Sequence, residues 1–391
     1  MRDEKDLPSK ARVVIIGGGV IGCSLAYHLT ELGWRDVVVL ERKQLTCGTT
    51  WHAAGLIAQL RATRNMTRLA KYSADLYGRL EAETGIATGY RQNGSVSVAL
   101  SAERLEEFQR NVSMARIFDV EAHMLTPDEC MEKYPLLNPE GVTGGVWIPE
   151  DGQGDPTNIT YALAKGARNR GAQVFENTKV TAITQKAGRV TGVVTERGAI
   201  EADVVVNCAG MWARDVGEMA GVNVPVHAAE HFYVVTENMD VLTRGMPTLR
   251  VPDEAAYYKE DAGKILLGAF EPIAKPWGME GIAENFCFDE LPADMDHFMP
   301  VLEKAINRMP ALETTGIATW FNGPESFTPD DRYLLGEAPE VKNFYVAAGF
   351  NSVGIQSAGG AGKALAEWIV AGEPPFDLWD VDIRRMQPHQ N

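Results

Sequence analysis

The first chemistry legible in this sequence lies in three glycines, one carboxylate and one imidazole. Gly17, Gly19 and Gly22 stand at GxGxxG spacing in VVIIGGGVIG, and Glu41 follows 19 residues after Gly22. At that spacing the first glycine permits a tight turn and the second lets a pyrophosphate approach the backbone. The third lets a helix pack closely on a strand. The unpaired N–H groups and positive dipole end of the following helix suit phosphates. Glu41 then puts a carboxylate near ribose hydroxyls, and an acid rather than an arginine there disfavours a 2′-phosphate. The imidazole is His52, in Gly48-Thr49-Thr50-Trp51-His52-Ala53-Ala54-Gly55. An NAD domain would continue with another strand–helix–strand half. This small-residue loop suits an extended FAD running toward a distant isoalloxazine, with Thr49 and Thr50 offering donors on the diphosphate side.

Those residues need elements to hold them. Residues 13–16 are apolar without alternation, as in a parallel strand covered on both faces. A helix over 20–32 ended by Gly33 and a strand over 37–40 complete the opening unit. Leu69, Tyr72, Leu76 and Leu80 give an apolar stripe to a helix over 65–83. A strand is expected over 95–100, and Thr126-Pro127-Asp128-Glu129 and Asp155-Pro156 are helix starts. Short strands follow at 173–176, 180–186, 189–196 and 203–207, with Ala187-Gly188 turning a hairpin. From Val222 to about Phe327 the texture becomes aromatic and alternating (HFYVVTE, AYYKE, KILLGAF), with a helix over 294–308. After Pro329, NFYVAAGFNSVGIQSAGGAGKALAEWI is again strand, glycine turn and helix. The fold expected is α/β (α+β in total): a Rossmann-like FAD domain over 1–90, 150–221 and 325–391, with an inserted antiparallel-sheet substrate domain over 91–149 and 222–324.

Composition narrows the partners. The net charge is −16, from 37 basic and 53 acidic residues, and no basic block interleaves with aromatics, which argues against nucleic acid. Cys23, Cys47, Cys130, Cys208 and Cys287 are dispersed and odd in number, so neither a disulfide framework nor a metal site is expected. The N-terminal stretch has no apolar core of a secretory signal, and no apolar run reaches membrane-spanning length. The expected setting is the cytoplasm of a bacterium or the matrix of a mitochondrion.

Longer matches give the sequence a family likeness. GTTWHAAGL at 48–56, RQNGSVSVA at 91–99, YPLLN at 134–138, VVNCAGMWA at 205–213, EHFYVVTE at 230–237, NGPESFTPD at 322–330 and GFNSVGIQSAGGAGKALAEWI at 349–369 run in order along nearly the whole chain. Together they resemble the flavin-dependent amine oxidoreductases of the D-amino-acid-oxidase superfamily, and within it the dimethylglycine dehydrogenase and sarcosine dehydrogenase family. The resemblance implies that His52 is bonded to the 8α-methyl carbon of FAD, and an imidazole nitrogen is a competent nucleophile for that bond. It also implies cofactor contacts at Val20, Ile21, Arg42, Ala54, Gly55, Leu56, Val180, Ala209, Gly210 and Trp212. A flavin-facing turn is implied at Gly349, Phe350, Asn351, Gly354 and Ile355, where helix N–H groups would meet charge at the reduced ring.

The activity that the resemblance implies is oxidation of a small N-methyl amine or amino acid. A hydride equivalent passes to flavin N5, and the iminium hydrolyses to amine and formaldehyde. His231 and Tyr257 match family positions; His231 can trade a proton with the amine and Tyr257 can hydrogen-bond it. Phe232 stands where dimethylglycine dehydrogenases have glutamine. For a substrate carboxylate, Arg250 is the first candidate cation and Arg91 the second. Oxygen, an electron-transfer flavoprotein or a quinone would reoxidise the flavin. The family's longer members add a folate-dependent half beyond the last residue of this chain. A competing reading is a non-catalytic relative of the pyruvate dehydrogenase phosphatase regulatory type, a group that lacks the histidine of the W-H motif.

Overall fold

The strand Lys10–Ile16 is apolar from Val13 onward, where both of its faces are covered. In the computed structural model, which describes residues 6–390, Val13 and Ile15 enter one core while Val14 and Ile16 enter another. The strand pairs in parallel with Val37–Leu40 on one side and Gly198–Asn207 on the other. Gln173–Phe175 extends one edge, and Phe344–Ala348 with antiparallel Leu334–Glu337 extends the other. This sheet is eight-stranded; an antiparallel meander of Val180–Lys186, Arg189–Thr195 and Gly198–Asn207 branches from it. Ala187 and Gly188 turn its hairpin with φ of 51° and 73°, the left-handed values a two-residue loop requires.

The helices Val20–Glu31, Arg64–Thr84, Pro156–Asn169 and Gly354–Ala371 cover one face. Thr63 caps the second through its hydroxyl, and Gly85 ends it in the left-handed region. Leu69, Leu76 and Leu80 are buried as their spacing implies, but the fully enclosed aromatic is Tyr77, with Tyr72 toward the rim. Small residues let the last helix approach closely: a Cβ on Gly360 would lie 2.2 Å from the Leu69 carbonyl oxygen.

The second sheet has nine strands. It is antiparallel except where Ser95–Ala99 meets Thr248–Val251 in parallel, the seam between its two chain segments. One face packs against the helix Met295–Arg308 through Val96, Leu249, Tyr258, Leu267 and Phe232. The helix Ala102–Ile117 has no counterpart in the sequence reading because it buries little more than Phe108, Val112 and Ala115. We propose the boundaries given above for the two domains, on the basis of these separate cores. Among the described residues no helix is long and apolar enough to cross a membrane, no cluster could hold a metal ion, and all five cysteines are free. The reading of Met1–Lys5 as part of a tail without a signal lies outside the described residues.

Candidate functional site

A cleft opens at the C-terminal ends of the parallel strands, the usual ligand position in such sheets. Gly17, Gly19, Val20, Ile21, Glu41, Arg42, Gly48, Thr49, Thr50, Val180, Ala209, Gly210, Trp212, Gly349, Phe350, Asn351, Gly354 and Ile355 all line it. Backbone does most of the shaping. Gly17 has φ 116°, and a Cβ there would stand 2.3 Å from the Cys208 carbonyl oxygen. Gly22 faces away from the cleft and lets helix meet strand, since its Cβ would stand 2.0 Å from the Gly17 carbonyl oxygen.

Several polar groups placed toward the ligand are engaged within the protein. Glu41 accepts the Gly18 and Lys43 N–H groups, both at 2.8 Å, so its carboxylate braces the glycine turn. Burial pushes its pKa up, against the pull of those N–H bonds. The Thr50 hydroxyl accepts Val20 N–H at 3.2 Å at the helix start, and the Thr49 hydroxyl donates to the Pro324 carbonyl at 3.2 Å. Ala54, Gly55 and Leu56 lie behind the cleft wall. Leu56 pairs with Gln153, a Gly55 Cβ would stand 2.1 Å from the Gly154 carbonyl oxygen, and the Ala54 carbonyl accepts Lys259 Nζ at 2.9 Å.

His52 sits in the 3-10 turn Thr50–His52, one residue before the cleft-lining Ala53. It is 5% exposed, packs 5.1 Å from the Phe321 ring, and its Nε2 is buried without a hydrogen-bond partner. Burial first, and repulsion from His231 second, push its pKa down to about 3. The ring is therefore neutral at neutral pH, with a lone pair available for bonding.

The glycine turn before the last helix is held open by strain. Asn351 and Ser352 have φ of 46° and 60°, and Thr328 N–H donates to Asn351 Oδ1 at 2.8 Å. Val353 provides no side-chain cap, so the first N–H groups of Gly354–Ala371 are left for a ligand. The segment 282–288 also closes on the cleft, a feature the sequence did not disclose. Arg42 donates to the Glu284 carbonyl at 2.7 Å and lies 4.6 Å over the Trp212 ring, and Lys179 pairs with Glu284 at 2.5 Å.

The second sheet carries the other candidate side chains. Its residues alternate between the helix-covered core and a polar face, as period-2 strands must. Ser97, Arg250, Tyr257, Gly268, Tyr233 and Phe321 form one continuous cross-strand row on that face. Phe321 stacks on Tyr233 at 4.5 Å and reaches the His52 ring, so the row runs from Arg250 to the imidazole. The Tyr257 ring lies across Gly268, where a Cβ would stand 2.1 Å from its hydroxyl. Burial drives that phenol well above its usual pKa.

His231 pairs in register with Gly323, one step along the same face. Its Nδ1 is 3.5 Å from Glu271 Oε2. Burial opposes its charge, but Glu325 and Glu271 outweigh that and raise its pKa. Arg250 forms no ion pair among the described residues; burial lowers its pKa, while Asp151 supports its charge. A second half-buried cation, Arg61, is close enough to repel Arg250. Arg91 is exposed and spends its backbone on Gln153. Phe232 points into the core beneath Met295–Arg308, so the family departure there lies on the face turned from the cleft. Sequence reasoning did not single out Glu325, Glu271, Arg61 or Asp151. The alternation Phe321, Gly323, Glu325 would have placed Glu325 beside His231.

These residues fit FAD. The glycine turn at Gly17 lines the cleft and tolerates no Cβ, a helix start is left uncapped, and His52 presents a buried nitrogen without a partner.

Comparison with known proteins agrees. The profile of the family described as "FAD dependent oxidoreductase" matches residues 12–368. Mitochondrial sarcosine dehydrogenase of Mus musculus is 44% identical over 97% of this chain and 42% of its own length. 4-Methylaminobutanoate oxidase (formaldehyde-forming) of Paenarthrobacter nicotinovorans is 42% identical over 98% of this chain and 47% of its own. The mitochondrial pyruvate dehydrogenase phosphatase regulatory subunit of Mus musculus is 41% identical over 97% and 43%. The chain thus spans less than half the length of these relatives. Among solved structures, L-proline dehydrogenase from P. horikoshii superposes with a TM-score of 0.88 at 28% identity, covering 97% of this chain and 98% of that one.

Proposed function

The chain belongs to the FAD-dependent oxidoreductase family typified by D-amino-acid oxidase, and from that premise we propose that it catalyses oxidative N-demethylation of a small N-methylated amine or amino acid of the sarcosine or dimethylglycine type. One observation carries the reading: the polar face of the second sheet aligns Arg250, Tyr257 and His231 in a series that ends at His52 beside the cleft. FAD, when bound, supplies the acceptor for the hydride equivalent leaving the carbon next to nitrogen. Tyr257 and His231 flank the place of the amine, and Arg250 meets a carboxylate. The stacked aromatic pair of buried Phe321 and half-buried Tyr233 keeps water from the reacting carbon. Release of the iminium to water then gives the demethylated amine and formaldehyde.

We propose further that His52 attaches the flavin covalently. Acid denaturation tests this separately: the wild-type pellet should be yellow, and that of His52→Ala colourless. A colourless wild-type pellet from flavin-loaded protein would refute attachment. The acceptor for the reduced flavin is proposed as oxygen, an electron-transfer flavoprotein or a quinone, and the setting as bacterial cytoplasm or mitochondrial matrix. Similarity to the phosphatase regulatory subunit favours one other reading, a flavin-binding partner without turnover. Anaerobic exposure to N-methyl amines separates the two, since only the enzyme bleaches.

A further inference from the structure

The cleft and the chemical face meet at a charge imbalance. Glu325 is 7% exposed, lies on the strand Ile317–Phe327 one alternation step from Gly323, and lines the cleft beside the flavin-facing turn. Its carboxylate accepts the Ser352 hydroxyl from that turn and forms no ion pair among the described residues. Glu271 is nine-tenths buried, and its Oε1 has no partner at all. The imidazole of His231 is the cation available to both. Two buried carboxylates against one imidazolium leave an uncompensated negative charge, and a buried unpaired charge is costly unless something completes it.

We propose that Glu325 is the residue that binds the substrate nitrogen as a cation and takes its proton, with His231 held as an imidazolium that positions the carboxylate rather than serving as the base. This rests on the proposed function. The amine enters protonated and its charge completes the site. The N–H bond then breaks toward Glu325, an O–H bond forms there, and the freed lone pair permits loss of hydride from the adjacent carbon to FAD, the oxidant of the proposed reaction. The raised pKa of His231 agrees, since an imidazole between Glu325 and Glu271 is a poor proton acceptor at neutral pH. The other ionisable neighbours on this face are Tyr257, Tyr233 and His52, with Arg250 beyond Tyr257, where Asp151 rather than Glu325 or Glu271 supports its charge.

The test compares two non-reducing ligands of similar shape on the flavin-loaded protein, followed by perturbation of the flavin spectrum. Glycine betaine carries a fixed positive nitrogen, and methylthioacetate carries an uncharged sulfur in its place. Glu325→Gln should weaken betaine at least about 10-fold, which is about 1.4 kcal/mol, and change methylthioacetate by less than about 3-fold. Glu325→Asp, which keeps the charge, should restore most of the betaine affinity and shows that the position tolerates change. Equal losses for both ligands in Glu325→Gln, or no loss for betaine, would overturn the proposal. Failure of the underlying function reads out differently, as wild-type flavin that no N-methyl amine bleaches.

Discussion

The two sheets of this molecule build their sites from different material. Around the parallel sheet the cleft is shaped by backbone: Gly17, the turn at 349–352, and two helix starts. Its polar side chains, Glu41 and Thr50, brace that backbone. Around the second sheet the strands run in nearly continuous register, and the candidate side chains stand on one face. The difference teaches that a cleft can be shaped mainly by backbone in one half of a molecule, while in the other half pairing register alone gathers the polar side chains.

The largest effect should come from putting a side chain where backbone does the shaping. Gly17→Val forces a branched residue to φ 116° and against the Cys208 carbonyl oxygen. It should destabilise the fold by roughly 3 kcal/mol or more and abolish flavin retention, read by thermal melting and absorbance. If Gly17→Val keeps its flavin, the backbone half of the comparison is wrong. Next, Arg250→Met should lower kcat/KM for a carboxylated amine about 100-fold, which is about 2.7 kcal/mol, with flavin content unchanged. An equal loss for an amine without a carboxylate would remove Arg250 from substrate binding.

Gly268→Ala sharpens the comparison from inside the second sheet. The new Cβ would meet the Tyr257 ring, so the phenol must move while the strand stays. We expect about a 10-fold fall in kcat with little change in melting temperature. His28 supplies the converse within the first half. It is buried, its Nδ1 lies 2.7 Å from the Ser24 carbonyl oxygen, and burial pushes its pKa down to about 3. It stays neutral in the fold while the unfolded chain protonates near pH 6.5, so folded stability falls as pH drops from about 6.5 toward 3. His28→Gln should flatten that dependence by up to about 1.4 kcal/mol per pH unit and leave amine kinetics unchanged. Smallest of all, Thr126→Ala, which removes the capping box with Glu129, should cost about 1 kcal/mol of stability and nothing in flavin or turnover.

The same contrast explains what the sequence disclosed. Strand, glycine turn and helix form a contiguous unit, so Gly17 to Glu41 could be read in one pass, as could the late turn at 349–355. The hairpin at Ala187-Gly188 was legible for the same local reason. The second site is assembled across strands distant in sequence: Arg250, Tyr257, Gly268, Tyr233 and Phe321 become neighbours through pairing register alone. Glu325 and Glu271 are unremarkable as letters, and their meaning comes from burial beside His231. Thr49 and Thr50 show where residue type is silent on partners: both line the cleft, while the Thr49 hydroxyl donates to the Pro324 carbonyl and the Thr50 hydroxyl accepts Val20 N–H.

The most direct test of the account is anaerobic titration of the flavin-loaded protein with a panel of N-methyl amines: sarcosine, dimethylglycine and 4-methylaminobutanoate, with glycine as the unmethylated control. The account predicts that at least one N-methyl amine bleaches the flavin and releases formaldehyde in equal amount, and that glycine does neither. Flavin that stays oxidised with every amine, in folded protein, would contradict it.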